Sequence, residues 1–364
     1  MSDETASAQA EELAGRLFGA GIAAMDLLSV YLGDRLGYYR ALAGNGSGLT
    51  SGEIAGKTST HERYAREWLE QQAVTGFLSV DDQEATPERR RYSIPAGHAE
   101  VLTEPTSLLH LAPLAQAMVG VARNIPAVLD AYRTGGGVPW PAFGDDIRQG
   151  QEGLNRPLFV NLLTTEYLAK VEDVHARLSA DPPARVADIA CGAGWSSIAI
   201  ARGYPKVTVE GVDFDETLIE TATRNAAAAG VSDRVRFHVA DASHPGIEGL
   251  YDLVTIFEAL HDMSHPVEAL RTARGLRAEG GAVIVMDEKV AEKFTAPGDD
   301  VERFMYGSSI LLCLPGAMAE QPSAATGTVM RPETLRQYSN DAGFDRVEIL
   351  PLEHDFFRFY RLID

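Results

Sequence analysis

The chain has 364 residues and carries 52 Asp and Glu against 32 Lys and Arg, a formal net charge of -20 at pH 7. A surface that acidic repels a phosphate backbone, so charge alone argues against nucleic acid as a partner. Two cysteines, Cys191 and Cys313, are too few for a disulfide framework or a zinc cluster.

At 45% hydrophobic and 23% charged, the composition is that of a globular protein long enough for two domains. The start, Met-Ser-Asp-Glu-Thr, is acidic and lacks the basic opening of a signal peptide. The apolar stretch near Ala20 is interrupted by Asp26 and Asp34, which predicts a segment too short to span a bilayer. The expectation is a chain with no membrane partner, in a reducing cytoplasm.

In chain order, Leu13, Leu17, Phe18, Ile22, Met25 and Leu28 recur at helical spacing and predict one or two amphipathic helices over residues 9–43. Gly44-Asn-Gly-Ser-Gly48 breaks the pattern. Residues 49–78 then read as two short helices meeting near Thr58, with Thr50 and Ser59 or Thr60 as N-caps. A polar stretch leads to Arg91-Tyr-Ser-Ile-Pro95, the returning strand of a wing. The arrangement resembles a winged helix-turn-helix. From Leu49 to Val101, however, nine acids face six bases, and the second helix carries three Glu against two Arg. A DNA reader reverses that balance.

The second half alternates buried-strand and helix patterns. Val186 to Ala190 is an apolar run that stops at a Gly-containing turn, Gly192 and Gly194, before the helical pattern Ile198-Ala-Ile-Ala201. A second strand, Val207 to Val212, ends in Asp213, 25 residues after Asp188. Such a layout binds a nucleoside: glycines admit the ligand to the backbone and the strand-end acid takes the ribose hydroxyls. A dinucleotide fingerprint would need glycine where Ser197 stands. Further strands follow at Val235–Asp241, Tyr251–Glu258 and Gly280–Met286, with a helix from Pro266 to Arg277.

Asp188-Ile-Ala-Cys-Gly192-Ala-Gly194 resembles motif I of the class I S-adenosylmethionine-dependent methyltransferases, with Ala190 in place of the first glycine. Asp213 matches the ribose-binding acid of that family and Asp241 the acid facing the adenine amino group. The resemblance implies S-adenosyl-L-methionine as cofactor, held by Asp188, Cys191, Gly192, Gly194, Asp213, Phe214, Asp241, Ala242 and Phe257. It implies an α/β fold, a Rossmann-like seven-stranded methyltransferase sheet over residues 156–364. A mostly α-helical winged-helix domain over 1–155 would serve dimerisation and close one side of the substrate pocket. The partners expected are a small-molecule methyl acceptor and a second copy of the chain.

Ligands in open α/β sheets bind at the carboxyl ends of strands, where His261 lies. Ala259-Leu-His-Asp-Met-Ser264 resembles the stretch that carries the general base of small-molecule O-methyltransferases. A phenol near pKa 10 is a poor nucleophile until a base such as histidine takes its proton. The resemblance gives Asp287 the task of orienting His261, while the position of a second supporting carboxylate falls on Val329, so that support is absent or comes from elsewhere. His261, Asp262 and His265 could also form a metal-binding H-D-x-x-H, but Pro266 resists the shared helix face this needs, and no metal is expected. Residues 289–330 form an insertion whose apolar stretch Phe304–Leu314 predicts a helix over the pocket. Met263, Phe304, Tyr306 and Trp140 are the expected pocket residues, and they suit an aromatic or apolar acceptor. O-methylation leads; C- or N-methylation, a non-methylating use of the cofactor and a transcriptional regulator remain as alternatives.

Overall fold

The computed structural model describes residues 3–364, with side chains from Thr5 onward. It divides into two compact units, Met1–Val119 with Gln149–Leu154, and Gly120–Arg148 with Asn155–Asp364. The division differs from the boundary at residue 155 read from the sequence. Residues 120–148 go with the sheet because Arg148 Nε donates to Asp215 at 2.6 Å and Val138 N donates to the Pro315 carbonyl at 2.8 Å.

The first unit opens with α1 (Asp3–Arg35) and α2 (Tyr38–Ala43), separated by Gly37 at φ 74°, a left-handed position glycine adopts without strain. Next come α3 (Ser51–Thr58) and α4 (Glu62–Val74). Thr50 caps α3 as expected, in a reciprocal box with Glu53. The cap of α4 is instead His61, whose Nδ1 accepts from Arg63 N, while Ser59, at φ 55°, ends α3. A two-stranded wing, β1 (Ser79–Val80) against β2 (Tyr92–Ser93), leads into α5 (Ala96–Thr103). Tyr38, Tyr39, Leu42, Ile54, Trp68 and Leu69 form the buried core.

Two features of this unit are informative. Arg63, Arg66, Arg90 and Arg91 are each paired within the motif, to Glu67, Glu88, Glu70 and Glu53 at 2.5–3.0 Å. Helix α1, by contrast, leaves its predicted apolar face uncovered: Leu13, Leu17, Phe18, Ile22, Met25 and Leu28 are 45–74% exposed. Its far end is anchored, with Val30 buried and Trp68 Nε1 donating to the Ser29 carbonyl at 2.9 Å. The expectation of a segment too short for a bilayer needs correction. Because the helix runs unbroken through Asp26 and Asp34, the stretch Thr5–Arg35 is long and apolar enough, by length and composition, to cross a membrane.

The second unit takes up α6 (Ala112–Arg123) from Gly120 on, then α7 (Ile125–Thr134), α8 (Gly144–Asn161) except its middle, Gln149–Leu154, and α9 (Glu172–Ser179). Its sheet begins with β3 (Arg185–Ile189), followed by α10 (Trp195–Gly203), β4 (Thr208–Asp213), α11 (Glu216–Ala229) and β5 (Val235–Val239). Then come β6 (Tyr251–Phe257), α12 (Pro266–Leu276) and β7 (Arg277–Glu288). The predicted single helix over 304–314 is broken: α13 (Asp300–Ser308), a π-turn at Ser309–Cys313, and α14 (Leu314–Ala317). The unit closes with α15 (Pro332–Asp341), β8 (Arg346–Ile349) and β9 (Phe357–Ile363).

The strand order is β5-β4-β3-β6-β7-β9-β8, with β9 antiparallel to both of its neighbours and the remaining pairs parallel. The chain first builds outward from β3 through β4 to β5, then returns to the other side of β3 at β6. That switch point leaves the carboxyl ends of β3 and β6 side by side, where such sheets bind ligands. Both sheet faces are covered, which is why β3 and β6 read as near-continuous apolar runs.

Candidate active site

The turn after β3 follows from its small residues. Ala190, Gly192 and Gly194 all take positive φ, at 57°, 53° and 80°. A side chain at Gly194 would meet the Phe237 ring at 2.6 Å, so only glycine lets this turn pack on β5. At Gly192 an added Cβ would meet nothing within 4 Å, so the space above that residue is open. Asp213, at the end of β4, accepts from Gly192 N through Oδ2 and from Asp215 N through Oδ1, both at 2.9 Å. Burial pushes its carboxyl up to about 6, against those two N–H bonds that hold it down. Asp215 in turn caps α11 and takes Arg148.

Asp188 has a different office. Its Oδ2 accepts from Ser196 and Ser197 at 2.6 Å and its Oδ1 from Thr255 at 2.8 Å. Those hydroxyls tie β3 to the first turn of α10 and to β6, and they use the carboxylate fully. Burial raises its pKa in spite of them. Cys191 is buried and its thiol is pushed well above the ordinary value, first by burial and then by Asp213 and Asp188, so it is unreactive. Phe214 is exposed, Asp241 is exposed and binds Ser243 N at 2.7 Å, and Ala242 is half-buried. Phe257 lies in the core, stacked on Phe159 at 6.0 Å. The open Gly192 backbone, a carboxylate with lone pairs to spare on Asp213 and an uncovered Phe214 ring fit an adenosyl group.

The turn after β6 holds His261, the residue expected to activate the acceptor. Glu258 takes φ 53°, an unusual value for a side chain this long, and a single 3₁₀ turn, Leu260–Asp262, brings His261 into the interior at 2% exposure. Its Nδ1 lies 2.9 Å from both Asp287 Oδ1 and Glu288 Oε2. Its Nε2 lies 3.2 Å from Asp262 Oδ1. Burial opposes the imidazolium, but the charges of Asp262, Glu288 and Asp287 outweigh it and hold His261 well above the usual histidine range. Asp287, although buried, is held below the carboxylate range by His261, while burial and Asp287 together push Glu288 well up.

The predicted insertion does cover this turn, through other residues than those expected. Ser264 Oγ donates to the Ala317 carbonyl at 2.7 Å, and Gly327 N donates to the His261 carbonyl at 3.1 Å. Cys313, at the end of the π-turn, brings Sγ within 4.8 Å of the ligand atoms of His261 and Asp262. Met263 is half-buried against the core. Phe304 is 44% exposed, and the Tyr306 hydroxyl is taken by Arg331 at 3.2 Å. Trp140 is half-buried in the turn Trp140–Phe143. His265 does not share a helix face with His261: it precedes α12 and lies 3.9 Å from Glu320.

Ser196, Ser197, Thr255, Glu288 and Cys313 were not assigned roles from the sequence. Strand alternation sends neighbours to opposite faces, so Asp287 and Glu288 read as one inward and one outward residue. At the very end of β7 the alternation lapses and both reach the same imidazole nitrogen.

Comparison with known proteins identifies the family. A family model described as a methyltransferase domain matches residues 180–324, and one described as an Rv2258c-like winged HTH domain matches residues 23–104. A ubiquinone/menaquinone biosynthesis C-methyltransferase of Ralstonia pickettii is 30% identical over 186 residues, 49% of this chain and 74% of that protein. The 27-O-demethylrifamycin SV methyltransferase of Amycolatopsis mediterranei is 35% identical over 104 residues, 28% of this chain and only 38% of that protein. Human N-acetylserotonin methyltransferase, solved in complex with its S-adenosylmethionine, superposes with a TM-score of 0.72 at 16% identity, covering 96% of this chain and 97% of that one. The chain belongs to the class I S-adenosylmethionine-dependent methyltransferases, in the form that carries an N-terminal winged-helix domain. S-adenosylmethionine is its cofactor.

Proposed function

We propose that this chain methylates an oxygen of a small, apolar or aromatic acceptor, with His261 as the group that activates it. The observation that carries the reading is the buried His261, gripped at Nδ1 by Asp287 and Glu288 at 2.9 Å. The three acids that hold His261 above the usual histidine range make the ring a strong base: Nδ1–H stays with Asp287 and Glu288, and once Nε2 has released its own proton it takes the one from the acceptor hydroxyl. S-adenosylmethionine, when bound, supplies an electrophilic methyl on a sulfonium. Asp213 and the Gly192–Gly194 turn would hold its adenosyl part. Glu288 fills the supporting place that the sequence could not locate. The half-buried Met263 and the apolar α13–α14 segment suit an acceptor with little charge.

The exposed apolar face of α1 supports a homodimer, since a second copy would cover six large side chains that water otherwise meets. The paired arginines of the winged helix leave few cations to meet a phosphate backbone, which speaks for a small-molecule partner instead of nucleic acid.

The test is turnover with a panel of phenols, read as S-adenosylhomocysteine formed. His261→Ala should lower turnover about 100- to 10,000-fold with unchanged S-adenosylhomocysteine affinity. Full activity in that variant would remove His261 from the reaction.

A further inference from the structure

We infer that Arg156, held over the Trp195 ring, takes the carboxylate at the amino-acid end of S-adenosylmethionine. Trp195 is the first residue of α10, directly after the Gly192–Gly194 turn, and Cζ of Arg156 lies 4.2 Å from its ring centroid. A cation over an indole face is attracted by the ring quadrupole, which fixes the guanidinium beside the turn without neutralising it. Its Nε is enclosed and makes no hydrogen bond, and among the described residues no carboxylate forms an ion pair with Arg156. The other arginine of α8 is the contrast: Arg148 meets both Asp215 and Asp145, at 2.6 and 3.2 Å. A half-buried guanidinium without a counter-charge is costly, and a ligand that brings one relieves the cost.

The place of Arg156 along α8 suits the long axis of the cofactor. Arg148 joins the helix to Asp215, two residues past the proposed ribose acid Asp213. Phe159 stacks on Phe257, at the end of β6, with 6.0 Å between centroids. Arg156 falls between these anchors, against the turn after β3. The contacts of α8 thus follow the carboxyl ends of β4, β3 and β6 in that order, and Arg156 stands about 12 Å along the helix axis from Arg148 at the ordinary rise per residue. In S-adenosylmethionine the sulfonium and the amino acid leave the ribose on the side opposite to the adenine. A ribose at Asp213, with the methyl directed to the turn after β6, brings the carboxylate to the side of the cleft where Arg156 lies. The acid of the turn itself gives Arg156 no partner, because Asp188 is saturated by Ser196, Ser197 and Thr255.

The planar fork of an arginine donates two parallel N–H bonds to a carboxylate, a match that a lysine ammonium does not make. The ammonium and the sulfonium of the cofactor are cations that Arg156 repels, which leaves the carboxylate as its ligand. The pair therefore sets a selectivity: a nucleoside thioether without the carboxylate keeps the Asp213 contact and loses the one to Arg156. Trp195 acts through Arg156, as a positioning residue. The inference concerns the cofactor alone and stands whichever atom of the acceptor is methylated.

The experiment is calorimetric titration of the full chain with S-adenosylhomocysteine, its decarboxylated amine analogue, and methylthioadenosine, which lacks the whole amino acid. Native protein should prefer S-adenosylhomocysteine to the decarboxylated amine about tenfold or more. Arg156→Met should abolish that preference while binding the two carboxylate-free ligands no worse than the native protein does. Trp195→Leu should lower the same preference and leave methylthioadenosine affinity unchanged. If Arg156→Met fails to melt cooperatively, Arg156→Gln decides by the same reading. Native protein that binds S-adenosylhomocysteine and its decarboxylated analogue equally would overturn the inference, as would an Arg156→Met protein that keeps the preference. A variant of native melting temperature that loses all three ligands alike would overturn it too, making Arg156 a support of the nucleoside site. Native protein that binds none of the three would remove the cofactor assignment itself, whereas turnover lost in His261→Ala bears only on the acceptor.

Discussion

The carboxyl end of β3 and the surroundings of His261 each hold a buried carboxylate, Asp188 and Asp287, and they treat their acids in opposite ways. At the first, Asp188 is saturated by Ser196, Ser197 and Thr255. At the second, Asp262 and Asp287 each keep an oxygen without a hydrogen-bond partner, around an imidazole that three acids share. A satisfied buried charge is a strut, whereas an unsatisfied one is an opening for a ligand or a proton. The first region holds two carboxylates: Asp188 braces the turn, and Asp213, on the neighbouring strand, accepts from Gly192 N and Asp215 N.

The largest effect that tests this contrast is on Asp188. Replacing it by alanine strands three buried hydroxyls, a loss of about 3 kcal/mol. The melting temperature should fall on the order of 5–10 °C. Any weakening of S-adenosylhomocysteine binding should follow the loss of fold. A variant that melts normally but binds poorly would show that Asp188 contacts the cofactor directly, and the division between strut and opening would fail.

The contrast also explains what could be read from the sequence. The sheet was legible because strands buried on both faces are unbroken apolar runs, and because glycines at 192 and 194 and the acid at 213 are each demanded by local geometry. The winged helix showed through its break at residues 44–48 and the Thr50 cap. Around His261, only its contact with Asp287 was legible. Cys313 reaches the site because a π-turn interrupts what periodicity makes a single helix, and no pattern of apolar residues announces that. The boundary reads as 155 in the sequence, while residues 120–148 group with the sheet through contacts distant in sequence, Arg148 with Asp215 and Val138 with Pro315.

A mid-sized effect is expected from pH at Asp213, the proposed ribose-binding acid at the end of β4. Burial raises its folded pKa to about 6, above the value of 3.8 for a free carboxyl. Between those two values the folded chain holds a proton that the unfolded chain has released, so this group's contribution to stability falls as pH rises through that window. Cofactor binding should move the other way, because ribose hydroxyls donate to the ionised form. Calorimetric titration with S-adenosylhomocysteine one unit below and one unit above that pKa should show about tenfold weaker binding on the acid side. Affinity that does not change with pH would mean that Asp213 is saturated by Gly192 N and Asp215 N, another strut.

The smallest effect concerns Ala190, which holds φ 57° where the family motif has glycine. A left-handed alanine costs about 1–2 kcal/mol, and glycine would relieve that strain while losing about 0.5–1 kcal/mol through its freer unfolded chain. The balance favours Ala190→Gly by a few tenths of a kcal/mol to about 1 kcal/mol, a rise of at most a few degrees in melting temperature. Since the methyl group is half-buried beside Gly192 and not part of the Asp213 contact, cofactor affinity should stay the same. A drop in melting temperature would mean that the alanine methyl contributes packing worth more than the strain. A gain in affinity would mean that the strained turn holds the Gly192 backbone away from its ligand, and that the departure from the family pattern tunes binding instead of stability.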